Sequence, residues 1–402
     1  MSDIYLDNNA TTMVDPEVVA CMLPYFTEQY GNPSSIHGFG NQVGRALKEA
    51  RQKVQTLLGA EHDSEIVFTS CGTESDSTAI LSALKAQPDR KEIITTVVEH
   101  PAILNLCQSL EKDGYKVHYL MVDNKGRLDL NKYSELLTDK VAIASIMWAN
   151  NETGTLFPVE QMAEMAHAKG IMFHTDAVQA VGKIPMDLKN TKIDMLSVSG
   201  HKLHAPKGIG VLYLRRGTRF RPLLRGGHQE RGRRAGTEPA ASIVALGKAA
   251  ELAMAHMEFE NTAVKAMRDR LEQGILSKIS NCFVNGDPNN RLPNTSNIAF
   301  EYVEGEAILM LLNKDGIAAS SGSACTSGSL EPSHVMRAMG IPYTAAHGSI
   351  RFSFSRYNTM EEVERVIAAM PPIIEKLRKL SPYWGDGAPK ENPEKAFVPT
   401  YA

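Results

Sequence analysis

The sequence predicts an α/β protein built around a large, mostly parallel sheet, followed by a smaller α+β domain. Seven short apolar runs between residues 65 and 214 alternate with segments of helical apolar spacing. Such alternation is typical of a parallel sheet covered by helices on both faces. A length of 402 residues is also long for one hydrophobic core. We therefore expect a large domain at 16–258, and a small domain made of 1–15 and 259–402.

The elements of the large domain follow from local patterns. Residues 41–60 carry apolar side chains at 43, 46, 47, 50, 54, 57 and 58, the stripe of an amphipathic helix. Seven strands are predicted, which together form one sheet. They are the apolar runs at 65–70, 92–98, 117–122, 141–147, 171–177, 194–200 and 210–214.

From about residue 260 the pattern changes to that of the smaller domain. A long helical pattern at roughly 241–280 precedes strand, helix, strand and helix signals between 297 and 370. The N-terminal MSDIYLDNNA is expected to fold against one of the two domains; we assign it to the small domain, although the apolar pattern alone does not decide between them. The proline-rich, polar tail from 384 is expected to be extended.

Composition excludes several classes of function. The chain is 43% hydrophobic and 22% charged, with a formal net charge of −3, so we expect no nucleic-acid or membrane partner. Eight arginines occur from Arg215 to Arg234, and Phe220 is the only aromatic residue among them. A loop that serves a subunit interface and contacts an anionic cofactor is a better interpretation of this segment than nucleic-acid binding.

The cysteine count and the N-terminus indicate a reducing compartment. Five cysteines without C-x-x-C spacing argue against a disulfide framework or a zinc ribbon. The N-terminus lacks the basic and then apolar pattern of a signal peptide, and no apolar run approaches the ~18 residues of a membrane span. We expect a cytoplasmic protein.

Chemically active side chains follow five of the predicted strands. Because ligands of such sheets bind beyond the carboxyl ends of the strands, these side chains are expected to form one site. In chain order they are Gly72 and Thr73 at a helix start, then His100, Asn150, Asn151, Asp176, Gln179, Ser199, His201 and Lys202.

This set meets the chemical requirements of pyridoxal phosphate (PLP). Lys202 directly follows a strand, where an amine can condense with an aldehyde. Asp176 can face the ring nitrogen and keep it protonated, so that the ring accepts electrons. The helix start, with Ser199 and His201, can hold the phosphate. The remaining roles are stacking on the ring and hydrogen bonding to its phenolic oxygen, matched by His100, Asn151 and Gln179.

Each of these residues also has a simpler interpretation. Alone, Lys202 is more readily a surface lysine, and Asp176 could cap a following helix. Asn151 with Gly154 could form a turn. Their joint occurrence at successive strand ends favours the cofactor site.

The chain resembles the class V, fold-type I PLP enzymes and, within them, the cysteine desulfurases, most closely the nitrogen-fixation type. The resemblance runs from residue 5 to 356. Its motifs are YLDNNATT, GNPSSIH, TSCGTESD, EHPA, WANNETG, HTDAVQAVGK, SGHKLHAPKG, RRAGTE, SSGSACTSGSLEPSHVMRAMG and IRFSFSR.

The resemblance implies a role for each matching residue. Lys202 would bind the cofactor aldehyde, and His100 would stack on the ring and move protons. Asp176 would pair with the ring nitrogen. The phosphate would be held by Thr73, Ser199, His201 and Thr237 of the partner subunit, so a homodimer is implied. Arg351, helped by Asn151, would bind the substrate carboxylate.

The resemblance also makes Cys325 the catalytic nucleophile. It lies in a Ser/Gly-rich segment, 320–329, with little apolar surface to bury. The implied reaction takes sulfur from L-cysteine as a persulfide on Cys325 and leaves L-alanine. The sulfur would pass to a NifU-like iron–sulfur scaffold protein. The sequence predicts no metal site of its own, although Cys325 could contact a nascent iron–sulfur cluster.

Three alternatives remain at this point. A selenocysteine lyase could use the same site, and an aminotransferase could use the same fold. An aminotransferase needs no cysteine loop, so Cys325 argues against it. A non-catalytic sulfur carrier could lose Lys202 or Asp176 without harm, yet both are present.

Overall fold

The structure, a computed structural model, describes residues 3–321, 332–385 and 387–390. Its strands are β1 (Ile4–Tyr5), β2 (Ile66–Thr69), β3 (Glu92–Thr96), β4 (Lys116–Leu120), β5 (Val141–Ser145), β6 (Met172–Asp176), β7 (Met195–Ser199), β8 (Gly210–Leu214), β9 (Cys282–Val284), β10 (Thr295–Phe300), β11 (Ile317–Ala318), β12 (Ser349–Ser353), β13 (Trp384–Gly385) and β14 (Ala388–Pro389).

The helices lie between and around these strands. They are α1 (Pro16–Met22), α2 (Pro24–Thr27), α3 (Gly38–Leu58), α4 (Gly72–Ala86), α5 (Pro101–Lys112), α6 (Leu130–Leu136), α7 (Val159–His167), α8 (Ala240–Ala255), α9 (Met257–Phe259), α10 (Lys265–Leu276), α11 (Gly305–Lys314), α12 (His334–Ala338), α13 (Tyr343–Ala346) and α14 (Met360–Leu380).

The large sheet has seven strands in the order β2-β8-β7-β6-β5-β3-β4. The strands from β7 to β4 are parallel, whereas β8 pairs antiparallel with both β2 and β7. The prediction of an α/β fold with a mostly parallel sheet is confirmed, and each predicted strand is present at its place in the chain. Strands β5, β7 and β8 are buried along their whole length, which explains their continuous apolar runs.

Helices α3 and α8 cover one face of this sheet and pack closely against each other. The apolar stripe predicted for 41–60 is the buried face of α3, including Val43, Leu47 and Val54. A Cβ on Gly247 of α8 would lie 2.6 Å from the Cα of Ala50. The glycine therefore permits a contact between the two helix backbones that no larger residue would allow.

A second hydrophobic core surrounds the antiparallel sheet β12-β10-β9 and helices α10, α11 and α14. The N-terminal segment joins this core, because Ile4 and Leu6 are buried in it and β1 pairs in parallel with β11. The question that the sequence left open is thereby answered. The first core, which lies between the large sheet and helices α3 and α8, also receives side chains from 335–346, so the two cores share a packed boundary.

The long helical pattern at 241–280 is interrupted. Helix α8 ends at Ala255, and a π-helical turn at Glu260–Val264 precedes α10. Glu260 and Val264, at the two ends of this turn, are both buried.

Candidate active site

A cavity of about 420 Å³ lies at the carboxyl edge of the parallel strands. It gathers most of the residues predicted from strand ends and motifs. Those lining it are Gly72, Thr73, His100, Asn151, Asp176, Gln179, Ser199, His201, Lys202 and Arg351. Thr237 does not line the cavity within this chain, and Cys325 lies outside the described residues. Ser320, shortly before Cys325 in the chain, lies on the cavity wall.

Lys202 reaches the cavity from the short turn that follows β7. Its Nζ donates to the backbone oxygens of Asn9 at 2.5 Å and Ala10 at 2.7 Å. Burial, reinforced by the positive charge of Arg351, lowers the pKa of Lys202 to about 7. A large fraction of this amine is therefore neutral near pH 7 and able to add to a carbonyl.

Asp176 ends β6 and is buried at the cavity floor. Its Oδ1 accepts a hydrogen bond from the Val178 N–H at 2.9 Å. Burial raises the pKa of this carboxyl group. A second carboxyl group, that of Asp76 in α4, lies nearby. Burial raises its pKa well above the usual value, and the negative charge of Asp176 raises it further. A cationic ligand group would favour the ionised form of both.

The start of α4 lines another side of the cavity, where it presents backbone N–H groups instead of carboxyl groups. The residue before the helix, Cys71, makes no side-chain capping hydrogen bond within the described chain, so the first N–H groups of α4 remain available to an anion. A Cβ on Gly72 would lie 2.9 Å from Cγ2 of Val178, which explains the glycine. Nearby, His201 Nδ1 lies 3.1 Å from Thr11 Oγ1, and burial lowers the pKa of His201 to about 4.

His100 is positioned by the start of α5. Its Nδ1 accepts from the Ala102 N–H at 3.1 Å, so the neutral ring carries its proton on Nε2. Burial lowers the pKa of His100. The ring is thus neutral at pH 7 and can exchange a proton at Nε2.

Arg351 comes from β12, on the small-sheet side. Its Nη1 donates to the backbone oxygen of Asn151 at 2.9 Å, and its Nη2 donates to Asp7 Oδ1 at 2.7 Å. Its side chain is only 5% exposed. These contacts fix a guanidinium group at the cavity, where it can bind a carboxylate.

Several cavity residues were missed by the sequence reasoning. Asp7, Asn9 and Ala10 belong to YLDNNATT, which we used only as a family motif. Their signal was a polar run between apolar residues, without a strand end to place it. Asp76, Glu152, Ser320 and His334 likewise belong to quoted family motifs without an assigned role, and Met147 ends the predicted strand run at 141–147.

Comparison with known proteins decides the family. The sequence profile described as "Aminotransferase class-V" matches residues 4–366. The cysteine desulfurase NifS of Azotobacter vinelandii is 74% identical over 401 residues, covering 100% of both chains. The chain belongs to the class-V aminotransferases, in their cysteine desulfurase branch.

Solved structures of similar proteins agree with this assignment. A NifS-like protein is 37% identical, with a TM-score of 0.86, and the match covers 93% of the present chain and 99% of the NifS-like chain. SspA, solved in complex with cysteine, is 34% identical with a TM-score of 0.78, covering 89% and 100%. The fold is therefore that of the fold-type I PLP enzymes.

Enzymes of this class use PLP, and the cavity of the class-V chain fits that cofactor. Asp76 Oδ1, Gln179 Oε1 and Arg351 Nε are buried and have no hydrogen-bond partner among the described residues. Buried polar groups are rarely left in this state without a ligand or water. An uncapped helix start, an amine of lowered pKa and a buried carboxyl pair complete a site for a phosphorylated, cationic aldehyde.

Proposed function

We propose that this class-V enzyme converts L-cysteine to L-alanine and takes the sulfur as a persulfide on Cys325. The observation that carries the proposal is the shared cavity, which holds Lys202, Asp176 and Arg351 at once and has Ser320 on its wall. The chain continues from Ser320 to Cys325 within five residues. Relatives named cysteine desulfurases match along the whole length.

The residues that would hold PLP follow from the cavity. Lys202 would bind its aldehyde, and Asp176 would face its ring nitrogen. Thr73, Ser199, His201 and the first turn of α4 would hold its phosphate, and Asn151 with Gln179 would face its phenolic oxygen. When bound, the cofactor supplies an electron sink for the bonds broken at the substrate α-carbon and β-carbon.

The chain's own groups would then carry binding and proton transfer. Arg351 would fix the substrate carboxylate, and His100 would give or take a proton at Nε2. The Cys325 thiolate would attack the substrate sulfur, so that an S–S bond forms while the C–S bond breaks. The C–S electron pair would stay with the carbon skeleton, which gains a proton and leaves as alanine.

We propose that the enzyme is a homodimer in which Thr237 of the partner subunit contacts the cofactor phosphate. Large apolar side chains between residues 23 and 39 are exposed, including Ile36 at 95%, Tyr30 at 66% and Phe26 at 59%. Such a concentration is typical of a covered surface. Part of the arginine-rich segment is anchored internally, since Arg234 pairs with Glu74 at 2.9 Å.

The remaining parts of the proposal concern the cellular role. We propose a cytoplasmic enzyme that passes sulfur from Cys325 to a NifU-like scaffold for nitrogenase clusters, with Cys325 contacting the nascent cluster. The NifS name of a relative at 74% identity supports this role. No helix in the described ranges is long and apolar enough to cross a bilayer. We propose the domain division 16–258 against 1–15 with 259–402, because the second core gathers Ile4 and Leu6 with side chains from 264 to 374.

The test is peptide mapping by mass spectrometry after brief exposure to L-cysteine without a reductant. We expect one added sulfur atom on the Cys325 peptide and free alanine in solution. The Cys325→Ala variant should still bind the cofactor but give neither the added sulfur nor free alanine. The matched control, Cys282→Ala, should still give both. Sulfur on the Cys71 peptide instead would contradict the assignment of Cys325, because Cys71 also lines the cavity.

The other outcomes separate the alternatives. Transfer of the amino group to a keto acid without sulfur release would indicate an aminotransferase. Turnover of selenocysteine but not of cysteine would indicate a selenocysteine lyase.

A further inference from the structure

A buried lysine lies directly behind the active site. Lys183 follows β6 by a short turn, and only 8% of its surface is exposed. Its Nζ donates to the backbone oxygen of Gln179 at 3.0 Å. Its own backbone oxygen accepts a hydrogen bond at 2.9 Å from Nδ2 of Asn261, which lies in the π-helical turn. A buried lysine held in this way carries a substantial desolvation cost, which calls for a function.

Lys183 and the reactive Lys202 line the same small space. This cavity, of about 20 Å³, lies apart from the large one and is also lined by Glu260, Arg356 and His204. Glu260, the first residue of the π-helical turn, is buried and is one of the residues that line this cavity. Glu260 Oε2 has no hydrogen-bond partner among the described residues.

A chain of hydrogen bonds joins the two lysines through the active-site wall. Lys183 holds the Gln179 backbone, and Gln179 Nε2 donates to the Asn9 backbone oxygen at 3.0 Å. That same Asn9 oxygen accepts from Lys202 Nζ. The position of Gln179 therefore depends on Lys183 on one side and bears on Lys202 on the other.

We propose that Lys183 is a positioning residue for the reactive amine. It fixes Gln179 and places a buried positive charge behind Lys202. The opposite charge of Glu260 stabilises that positive charge. The proposal rests on the proposed function, in which Lys202 holds the cofactor.

The charges around both lysines give the direction of the effect. Burial is the largest cause that lowers the pKa of Lys202, and the positive charges of Arg351 and Lys183 lower it further. The negative charges of Asp7 and Asp176 raise it. The neighbouring rings of His100 and His201 are neutral at pH 7, because burial lowers the pKa of each.

Lys183 itself remains mostly protonated at neutral pH. Burial lowers its pKa to about 8, and Glu260 opposes that shift. Burial raises the pKa of Glu260 to about 7, against the opposing charges of Lys183 and Arg356. Removing the Lys183 charge should therefore let Lys202 keep its proton to higher pH, with less neutral amine at pH 7.

The experiment compares Lys183→Met, Lys183→Arg and Glu260→Gln in the full-length chain. After removal of the cofactor, the amines are labelled with acetic anhydride between pH 5.5 and 9, and the rate at Lys202 is read by peptide mapping. For Lys183→Met we expect the midpoint to rise by about one pH unit, which slows labelling at pH 7 by about fivefold. The absorbance of bound cofactor in the holoenzyme should titrate with a midpoint shifted in the same direction.

The other variants separate electrostatics from structure. Lys183→Arg keeps the charge and should stay near the wild-type midpoint. Glu260→Gln should shift the midpoint upward by less than Lys183→Met, and it remains informative if Lys183→Met fails to fold. An unchanged midpoint in a folded Lys183→Met protein overturns the proposal. So does an equal shift in Lys183→Arg, which would show a packing role alone.

Failure of the proposed function would look different. Cofactor retained on another lysine would refute the assignment of Lys202. The labelling profile of Lys202 would still report whether Lys183 acts on it.

Discussion

The active-site cavity has two walls of different origin. The sheet wall consists of Gly72, Asp176, Ser199 and Lys202, each at the end of a strand of the large sheet or at the helix start after it. The second wall, here called the distant wall, consists of Asp7, Asn9, Ser320 and Arg351. Its segments meet only through long-range contacts, such as the parallel bridge between Asp7 and Ser353. We infer that the sheet wall determines cofactor binding, whereas the distant wall determines substrate affinity.

Loss of the reactive amine should give the largest effect and break the sheet wall's function. Lys202→Ala removes the group that would hold the cofactor covalently, so we expect alanine formation to fall about 10³-fold or more. Borohydride treatment, followed by peptide mapping, should trap no cofactor in this variant. The control is Lys207→Ala, an exposed lysine five positions later, which should still trap the cofactor on Lys202. Trapping on a different lysine in wild-type protein would contradict the assignment.

A change on the distant wall should instead act on substrate affinity. Arg351→Gln removes a charge-assisted contact to the substrate carboxylate, for which about 1.5–3 kcal/mol is typical. We expect KM for L-cysteine to rise about 100-fold at the upper end of that range, with a much smaller change in kcat. Steady-state kinetics of alanine release measure both constants.

A matched arginine separates this effect from loss of stability. Arg291 pairs with Glu272 and is 6% exposed, close to the 5% of Arg351, but it lies outside the large cavity. Arg291→Gln should lower Tm without raising KM. An equal rise of KM in both variants would show that Arg351 acts through stability and not through substrate contact.

The two walls also explain how far the sequence could predict the site. The sheet wall was predictable because a strand end is a local signal, and parallel strands bring their ends to one edge. Asp176 and Lys202 were found in this way, and Arg351 through the family resemblance. Asn9 could not be placed, because its position depends on Thr295 and Asn294, more than 280 residues away, which bond to its side chain. Lys183 and Glu260 were missed for the same reason, because their proximity depends on contacts between distant segments, such as the hydrogen bond from Asn261 to the Lys183 backbone oxygen.

A smaller effect is expected from the negative charge of the distant wall. Asp7 raises the pKa of Lys202, opposite to Lys183. Asp7→Asn should therefore lower the midpoint of Lys202 labelling, by about half a pH unit, since 22% of the Asp7 side chain is exposed and water screens it. More of the amine is then neutral at pH 6.5, so labelling at that pH becomes faster. Asp269→Asn, at a carboxylate of 33% exposure that pairs with Arg268, serves as control and should leave the midpoint unchanged. A midpoint that rises in Asp7→Asn would mean that Asp7 acts on Lys202 through the position of Arg351, whose guanidinium it holds, and not through its charge.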